Sequence, residues 1–575
     1  MLIKGVPASH AVGMAPALIL ESNPIVKGQE TIRPHQVADH LEQFEHAVSG
    51  LSQLYSDTLS SLNRENNTVQ AQIIAMHQLL LQDEGLLEQI KNLIRQGFAA
   101  PSAVEKAIEE QAVLFSQLDS SYFRERVQDI QDVGNRLIHQ LQGIHMPDFS
   151  ALQERVVLVA EEISPSDMAV IRPEIVQGIV TKGGSTTSHT AILAKTMGIA
   201  TVVSCGDAIA RIQPGETLYV DGEKGIVEYE LTPARTEALE QSIDQYRSFL
   251  RELKSYRDRP TRTKDGVPVE LCANILDLSS LDRAVEVGAE GIGLFRTEFL
   301  YLDQLFPPTE EEQYRIYRSA GHLLDGRPVS IRTIDIGGDK EVPCLGVRQE
   351  LNPLLGCRGI RLCLEQPEVF LTQLRAILRA AAGENIRVFY PMIGSLDDLL
   401  KAKDFLFQAL ESLEADGLPA PREILQGVMV EIPAAALLSD VLIRHCDFIS
   451  IGTNDLTQYT LAADRLNAHI YRPGSHFNPG VLKLIALTVQ NCAKAGKPCS
   501  LCGEMGSDPL AIPLLLGMGV RHLSVNPSSV LRIRRLISTL TLPETQLLAR
   551  EALECDSADG VLECIFSRYP GISEN

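Results

Sequence analysis

The chain has 575 residues, 45% of them hydrophobic, with no tryptophan and a formal net charge of −22. That length allows several domains and a large core, and the acidic balance argues against nucleic acid as the main partner. No run of about 20 apolar residues occurs and the N-terminus lacks an apolar signal region, so a cytoplasmic protein with no membrane insertion is expected. The eleven cysteines are scattered, which fits reduced thiols. Residues 1 to about 22 alternate apolar and small positions around Gly5, Pro7, Gly13 and Pro16, and predict short strands that pair with later segments. From Val37 to Leu141 the apolar period changes to three or four. Leu41, Phe44, Val48, Leu51 and Tyr55 form one series, and Ile73, Met76, Leu79 and Leu80 another. Proline is nearly absent there, Pro101 falls at a predicted helix start, and the pattern predicts a helical bundle. His77 and the acidic pair Asp83–Glu84 lie on that bundle as surface or core filler.

Strand-like runs return at 155–160, 178–181, 201–203 and 217–221, so the bundle is predicted as an insertion in a small α/β body that starts at the N-terminus. Between two of these runs lies Lys182-Gly183-Gly184-Ser185-Thr186-Thr187-Ser188-His189-Thr190-Ala191-Ile192. A strand, a glycine turn and a helix start favour close approach of an anion. The stretch supports two readings: a helix cap with a satisfied histidine beside it, or His189 placed where hydroxyls and backbone donors can hold a transferred phosphoryl group. Residues 232–257 then form a polar helical linker.

From Thr263 onward strands and helices alternate. Eight strand candidates, at 267–274, 291–298, 329–335, 386–393, 427–432, 448–453, 499–504 and 522–525, fit a (β/α)8 TIM barrel. A doubly wound sheet is the alternative. Their ends are polar: Arg296 after the second, Arg332 on the third, Glu431 after the fifth, Asn454 and Asp455 after the sixth with Arg465 beyond, and Cys502 after the seventh. In a barrel such ends converge on one face. Two carboxylates suit Mg²⁺, and guanidinium forks suit carboxylate and phosphate, so the cluster describes a metal-assisted site for a small phosphorylated acid. Cys499 and Cys502 have CxxC spacing but stand alone on a strand, where residues three apart face opposite sides; one reactive cysteine and one bystander are expected, and no zinc site.

Several long runs resemble enzyme I of the bacterial phosphoenolpyruvate-dependent sugar phosphotransferase system, nearly end to end. They are 289–298 (AEGIGLFRTE), 335–340 (DIGGDK), 451–459 (IGTNDLTQY) and 501–504 (LCGE). The resemblance implies a phosphohistidine α/β domain at 1–24 and 147–230 and an inserted helical domain at 25–146 that binds the carrier HPr. It further implies a helical linker at 231–260 and a barrel at 261–575 that binds phosphoenolpyruvate and Mg²⁺ and forms a homodimer. Carried over by position, His189 is the phosphorylated nucleophile, Glu431 and Asp455 hold Mg²⁺, and Arg296, Arg332, Asn454 and Arg465 hold phosphoenolpyruvate, with Arg358 a weaker candidate. Cys502 matches the acid that protonates the enolate to pyruvate. Two positions depart from the pattern: Thr186 stands where an arginine is common, and 522–527 (HLSVNP) matches loosely. They leave the carrier open between HPr and an HPr-like protein of a specialised or regulatory paralogue. A dikinase or synthase would need an ATP-binding domain that no segment has room for. A barrel lyase would leave His189 and the bundle idle, and a non-catalytic scaffold would leave the metal and phosphate ligands idle.

Overall fold

Three N-terminal strands pair with strands roughly two hundred residues later, and so enclose everything between them. The computed structural model describes residues 1–9, 11–20, 30–64, 68–116, 121–144, 149, 152–185, 188–302, 304, 306–337, 342–346, 350–465, 467, 470 and 474–572. The chain divides into two units, Met1–Phe249 and Leu250–Asn575. In the first, β1 (Leu2–Lys4), β2 (Val6–Pro7), β3 (Val12–Ile19), β4 (Val156–Ala160), β5 (Val176–Thr181), β6 (Ala200–Val203), β7 (Thr217–Asp221) and β8 (Ile226–Glu228) form one sheet. Its order is β1-β8-β7-β3-β4-β5-β6-β2. Strands β3 to β6 run parallel and the flanking strands antiparallel. The near-continuous apolar runs of β4 and β5 follow from burial on both faces.

Between the paired neighbours β3 and β4 the described residues form five α-helices: α1 (Val37–Arg64), α2 (Thr68–Leu81), α3 (Glu84–Arg95), α4 (Ala100–Ser116) and α5 (Ser121–Gln142). Phe44, Leu51 and Tyr55 from α1 meet Ile74, Ile90, Ile94, Val104 and Val133 in one core. Pro101 sits in the first turn of α4, where its missing N–H costs nothing. Asp83 caps α3 by accepting from the Leu86 N–H at 2.7 Å. Leu79 departs from its expected core series: its side chain is 63% exposed.

His77 is more than filler. It is fully buried, with Nε2 3.3 Å from Asp129 and Nδ1 3.8 Å from Asp132. Asp132 accepts from the backbone N–H of Ser166 at 3.1 Å, and Arg136 donates to Asp167 at 2.6 Å. Ser166 and Asp167 belong to α6 (Pro165–Val170) of the α/β body, so a polar network seats the bundle on the sheet domain. Helix α7 (His189–Met197) follows β5, and α8 (Pro233–Lys254) carries the chain into the second unit.

That unit is built on a closed, all-parallel barrel of β9 (Glu270–Ile275), β10 (Ile292–Phe295), β11 (Val329–Arg332), β12 (Ile386–Tyr390), β13 (Gln426–Val430), β14 (Phe448–Ile451), β15 (Cys499–Leu501) and β16 (His522–Val525). Closure of β16 onto β9, from His522↔Glu270 to Val525↔Ala273, excludes the doubly wound sheet. All eight expected strands are present, and most stop short of their polar ends. Arg296, Asp335, Glu431, Asp455 and Cys502 therefore sit just past the ladders, where side chains turn toward the mouth.

Candidate active site

In the N-terminal unit the β5–α7 turn is shaped by its own small residues. Gly184 has φ +98°, a conformation open to glycine, and Ser204 donates from its backbone N to Gly183 O at 3.0 Å. Ser188 is the N-cap of α7: its Oγ accepts from the Ala191 N–H at 3.3 Å and donates to Ser185 O at 2.9 Å. Thr190 Oγ1 donates to Ile163 O at 2.6 Å, which ties the start of the helix to the sheet body. His189 is thus the first residue of a capped helix that follows a glycine turn. Thr186, Thr187 and the His189 side chain lie outside the described residues.

In the barrel unit, Arg296, Arg332, Arg358, Asn454, Asp455, Arg465 and Cys502 line one cavity with Leu294, Asp335 and Met429. Seven of the residues expected at the site thus share one mouth. Glu431 stands beside it, completely buried.

The arginines differ in how they are held. Arg332 is 6% exposed, and it pairs with Glu298 and, at 3.0 Å, with Asp335. Burial opposes its charge, but Glu298, Asp335 and Glu431 outweigh burial and hold the guanidinium firmly protonated. Arg358 reaches Asp335 at 2.9 Å, Asp455 at 3.2 Å and the Tyr459 hydroxyl at 3.2 Å. Arg296 and Arg465 form no ion pair among the described residues, and Arg296 Nε is buried with no hydrogen-bond partner. A buried N–H donor without a partner is costly unless an acceptor fills the place.

The carboxylates complete the picture. One ligand oxygen each from Asp335, Glu431 and Asp455 lie within 4.8 Å of one another, and all three residues are buried. Glu431 Oε1 accepts from the Met392 backbone N–H at 2.6 Å, while Oε2 has no partner. Met392 holds that N–H from a left-handed backbone, φ +57°, a strained setting for a residue with a side chain. Burial, then Asp335 and Asp455, push the Glu431 carboxyl up to about 8, against the pull of Arg332 and Arg358. Three crowded carboxylates with an unpartnered oxygen are the donor set that a hard divalent cation satisfies.

Cys502 is wholly buried against Leu294, Phe389, Met429 and Phe448. Its Sγ accepts from Ser450 Oγ at 3.1 Å, and burial pushes the thiol up to about 11, so the proton stays on sulfur at neutral pH. Its CxxC partner Cys499 packs with the core on the outer side of the strand, as the spacing predicts. Gly503 has to be glycine, because a Cβ there would lie 1.9 Å from Thr453 Oγ1. Asn454 Oδ1 accepts from the Glu504 N–H at 2.9 Å, which orients its amide.

Sequence reasoning passed over Glu298, Asp335 and Ser450. The signal for the first two was present: each carboxylate follows an arginine by two or three residues, in 296–298 (RTE) and 332–335 (RTID). Ser450 points into the barrel on an apolar strand and carries no sequence signal of its own.

Three family models match the chain: "PEP-utilising enzyme, N-terminal" over residues 4–126, "PEP-utilising enzyme, mobile domain" over 152–225, and "PEP-utilising enzyme, PEP-binding domain" over 250–542. The phosphoenolpyruvate-protein phosphotransferase of Staphylococcus epidermidis is 37% identical and aligns over 98% of this chain and 99% of its own length. That of Listeria innocua is also 37% identical, over 98% of each chain. A solved solution structure of enzyme I (nEIt) covers 43% of this chain and 99% of its own, at 31% identity and a TM-score of 0.40. On the family models and the full-length relatives, the chain belongs to the phosphoenolpyruvate-protein phosphotransferase family of PEP-utilising enzymes.

Proposed function

We propose that the protein takes the phosphoryl group of phosphoenolpyruvate onto His189 and passes it to a histidine of HPr or an HPr-like carrier, releasing pyruvate. The observation that carries this reading is the pairing of two uncommitted guanidiniums, Arg296 and Arg465, with a buried carboxylate cluster at one barrel mouth. It stands in a chain whose relatives are phosphoenolpyruvate-protein phosphotransferases. In this reading Arg296, Arg332, Arg465 and the Asn454 amide hold the substrate's carboxylate and phosphate. Arg358 serves mainly to hold Asp335 and Asp455 in place, through the contacts it already makes. Glu431 and Asp455 would hold Mg²⁺, with Asp335 as a third carboxylate beside them. When bound, the ion supplies positive charge against the oxygens of the transferring group.

A neutral imidazole nitrogen of His189 forms the N–P bond as the bridging P–O bond breaks, and the enolate of pyruvate leaves. Its methylene carbon takes a proton from Cys502 Sγ, which is protonated at neutral pH and oriented by Ser450. Displacement at phosphorus needs the reacting atoms about 3–3.5 Å apart. His189 must therefore reach the barrel mouth and later meet a carrier on the bundle, and we assign the hinge to the region of α8. A homodimer formed by the barrel, a cytoplasmic location and a role in sugar uptake belong to the same reading. Incubation with labelled phosphoenolpyruvate and Mg²⁺, with and without an HPr preparation, tests it: acid-labile, base-stable label on the chain is expected, and it should leave when HPr is added. Label that stays on the chain with every HPr-type carrier tried would retain the chemistry and reject the carrier.

A further inference from the structure

The C-terminal pair of helices carries two thiols for which the chemistry above has no use. The helix Leu542–Leu553 ends in a short turn, and the helix Ala558–Arg568 packs back against it. Cys555 lies in the turn and Cys564 on the second helix, with their Sγ atoms 3.6 Å apart. Both are half-buried, so a small solute can reach the edge of the pair. Cys492 and Cys499 are also neighbours, but in the core and away from solvent.

We propose that Cys555 and Cys564 form a dithiol couple that a hydroperoxide converts to an intramolecular disulfide and that reduced thiols restore. A disulfide bond is about 2.05 Å long, so the sulfurs need to close by only about 1.5 Å, a movement within reach of side-chain torsions. The step balances without a metal or cofactor. The thiolate of one cysteine attacks the peroxide O–O bond; a sulfenic acid forms, and the departing oxygen leaves as an alcohol or water with the thiol proton. The second sulfur then attacks the sulfenic sulfur, the S–S bond forms, the S–O bond breaks, and hydroxide leaves as water with the second thiol proton. Two thiols lose two electrons and two protons in all, and the peroxide accepts them. Proximity favours this closure over capture by an external thiol.

The surroundings set the pace. Burial, then Cys564, then Asp556 and Glu563 push the Cys555 thiol above its ordinary value, so little thiolate exists at neutral pH. The couple records sustained oxidation rather than a brief pulse, and its rate rises with pH. Its consequence is local. The helix Ala558–Arg568 packs on the 3-10 turn Ser475–Phe477, whose Phe477 is buried in the barrel unit's core. A staple between the two C-terminal helices slows opening of that support.

The test uses the full-length, freshly reduced protein. It is treated with hydrogen peroxide, its remaining thiols are alkylated, and non-reduced peptides are weighed. The expected result is a 555–564 link about 2 Da lighter than the two free thiols, reversed by dithiothreitol and forming roughly tenfold faster at pH 8 than at pH 7. Amide exchange in 558–568 should slow on oxidation and recover on reduction. In Cys555→Ser, Cys564 should show sulfenic or sulfinic acid and no link. The proposal fails if both thiols are still alkylated after peroxide has consumed Cys344 and Cys357, the other half-buried cysteines. It fails equally if Cys555 and Cys564 oxidise separately in the wild-type chain and no link forms.

Discussion

The turn between β5 and α7 takes its shape from glycine, hydroxyls and backbone carbonyls, with the Ser188 cap and the Thr190 bond to Ile163 as its anchors. The barrel mouth is instead a lattice of buried charge, in which Arg332 and Arg358 share Asp335 while Glu298 and Asp455 close the ends. The first arrangement fixes the backbone at the start of α7. The second spends most of its charge on itself, which pre-organises the guanidiniums before any substrate arrives. The difference is one of means: small-residue hydrogen bonds fix a helix start, and paired buried charges fix a barrel mouth.

The sharpest way to break this comparison is His189→Ala, which should abolish incorporation of label from phosphoenolpyruvate while substrate binding at the barrel survives. Retained acid-labile label would move the acceptor elsewhere. Nearly as large is the effect of division. Residues 1–258 should fold, accept phosphoryl from a phosphorylated HPr-type carrier and ignore phosphoenolpyruvate; residues 259–575 should bind phosphoenolpyruvate and Mg²⁺ yet form no phosphohistidine. Phosphorylation of the N-terminal piece by phosphoenolpyruvate alone would end the division of labour.

Within the barrel, Glu431→Gln and Asp455→Asn should each slow autophosphorylation by roughly a thousandfold, in line with the several kcal/mol a bound cation supplies. Unchanged circular dichroism would separate this from unfolding, and a normal rate at ordinary Mg²⁺ would remove the carboxylates from the metal site. Cys502→Ala should cut exchange of solvent deuterium into pyruvate by about 10²–10⁴-fold and leave some phosphohistidine formation. Because burial pushes the thiol up to about 11, alkylation of Cys502 should be slow at pH 7 and rise about tenfold per pH unit toward that value. The smallest expected effect lies in the turn: Ser188→Ala should lower the stability of the N-terminal unit by about 1 kcal/mol, read from thermal melts. A much larger loss would show that the turn is held by more than its cap.

Much of the architecture was legible in the residues. Helical periodicity from Val37 onward and apolar runs ending in Arg, Asp, Glu or Cys follow from which faces are buried, and burial leaves a mark at each position. The arginines, Asn454 and the two carboxylates at the strand ends were readable for the same reason. Leu79 was not, because the apolar period does not tell a core face from an exposed one. His77 was not either, since its partners Asp129 and Asp132 lie on another helix.

The sequence by itself determined the order and type of the elements, the glycine turn before His189, and the set of groups available at the barrel's strand ends, because these depend on local conformation and on each residue's own chemistry. Only the tertiary structure decided how those groups are used. Glu298 meets Arg332 across 34 positions and Arg358 meets Asp455 across 97, so which arginine is committed and which is open depends on barrel closure. The raised Glu431 carboxyl, the strained Met392 that holds it and the protonated Cys502 depend on it as well, since desolvation and charge crowding exist only once distant strands enclose the same space.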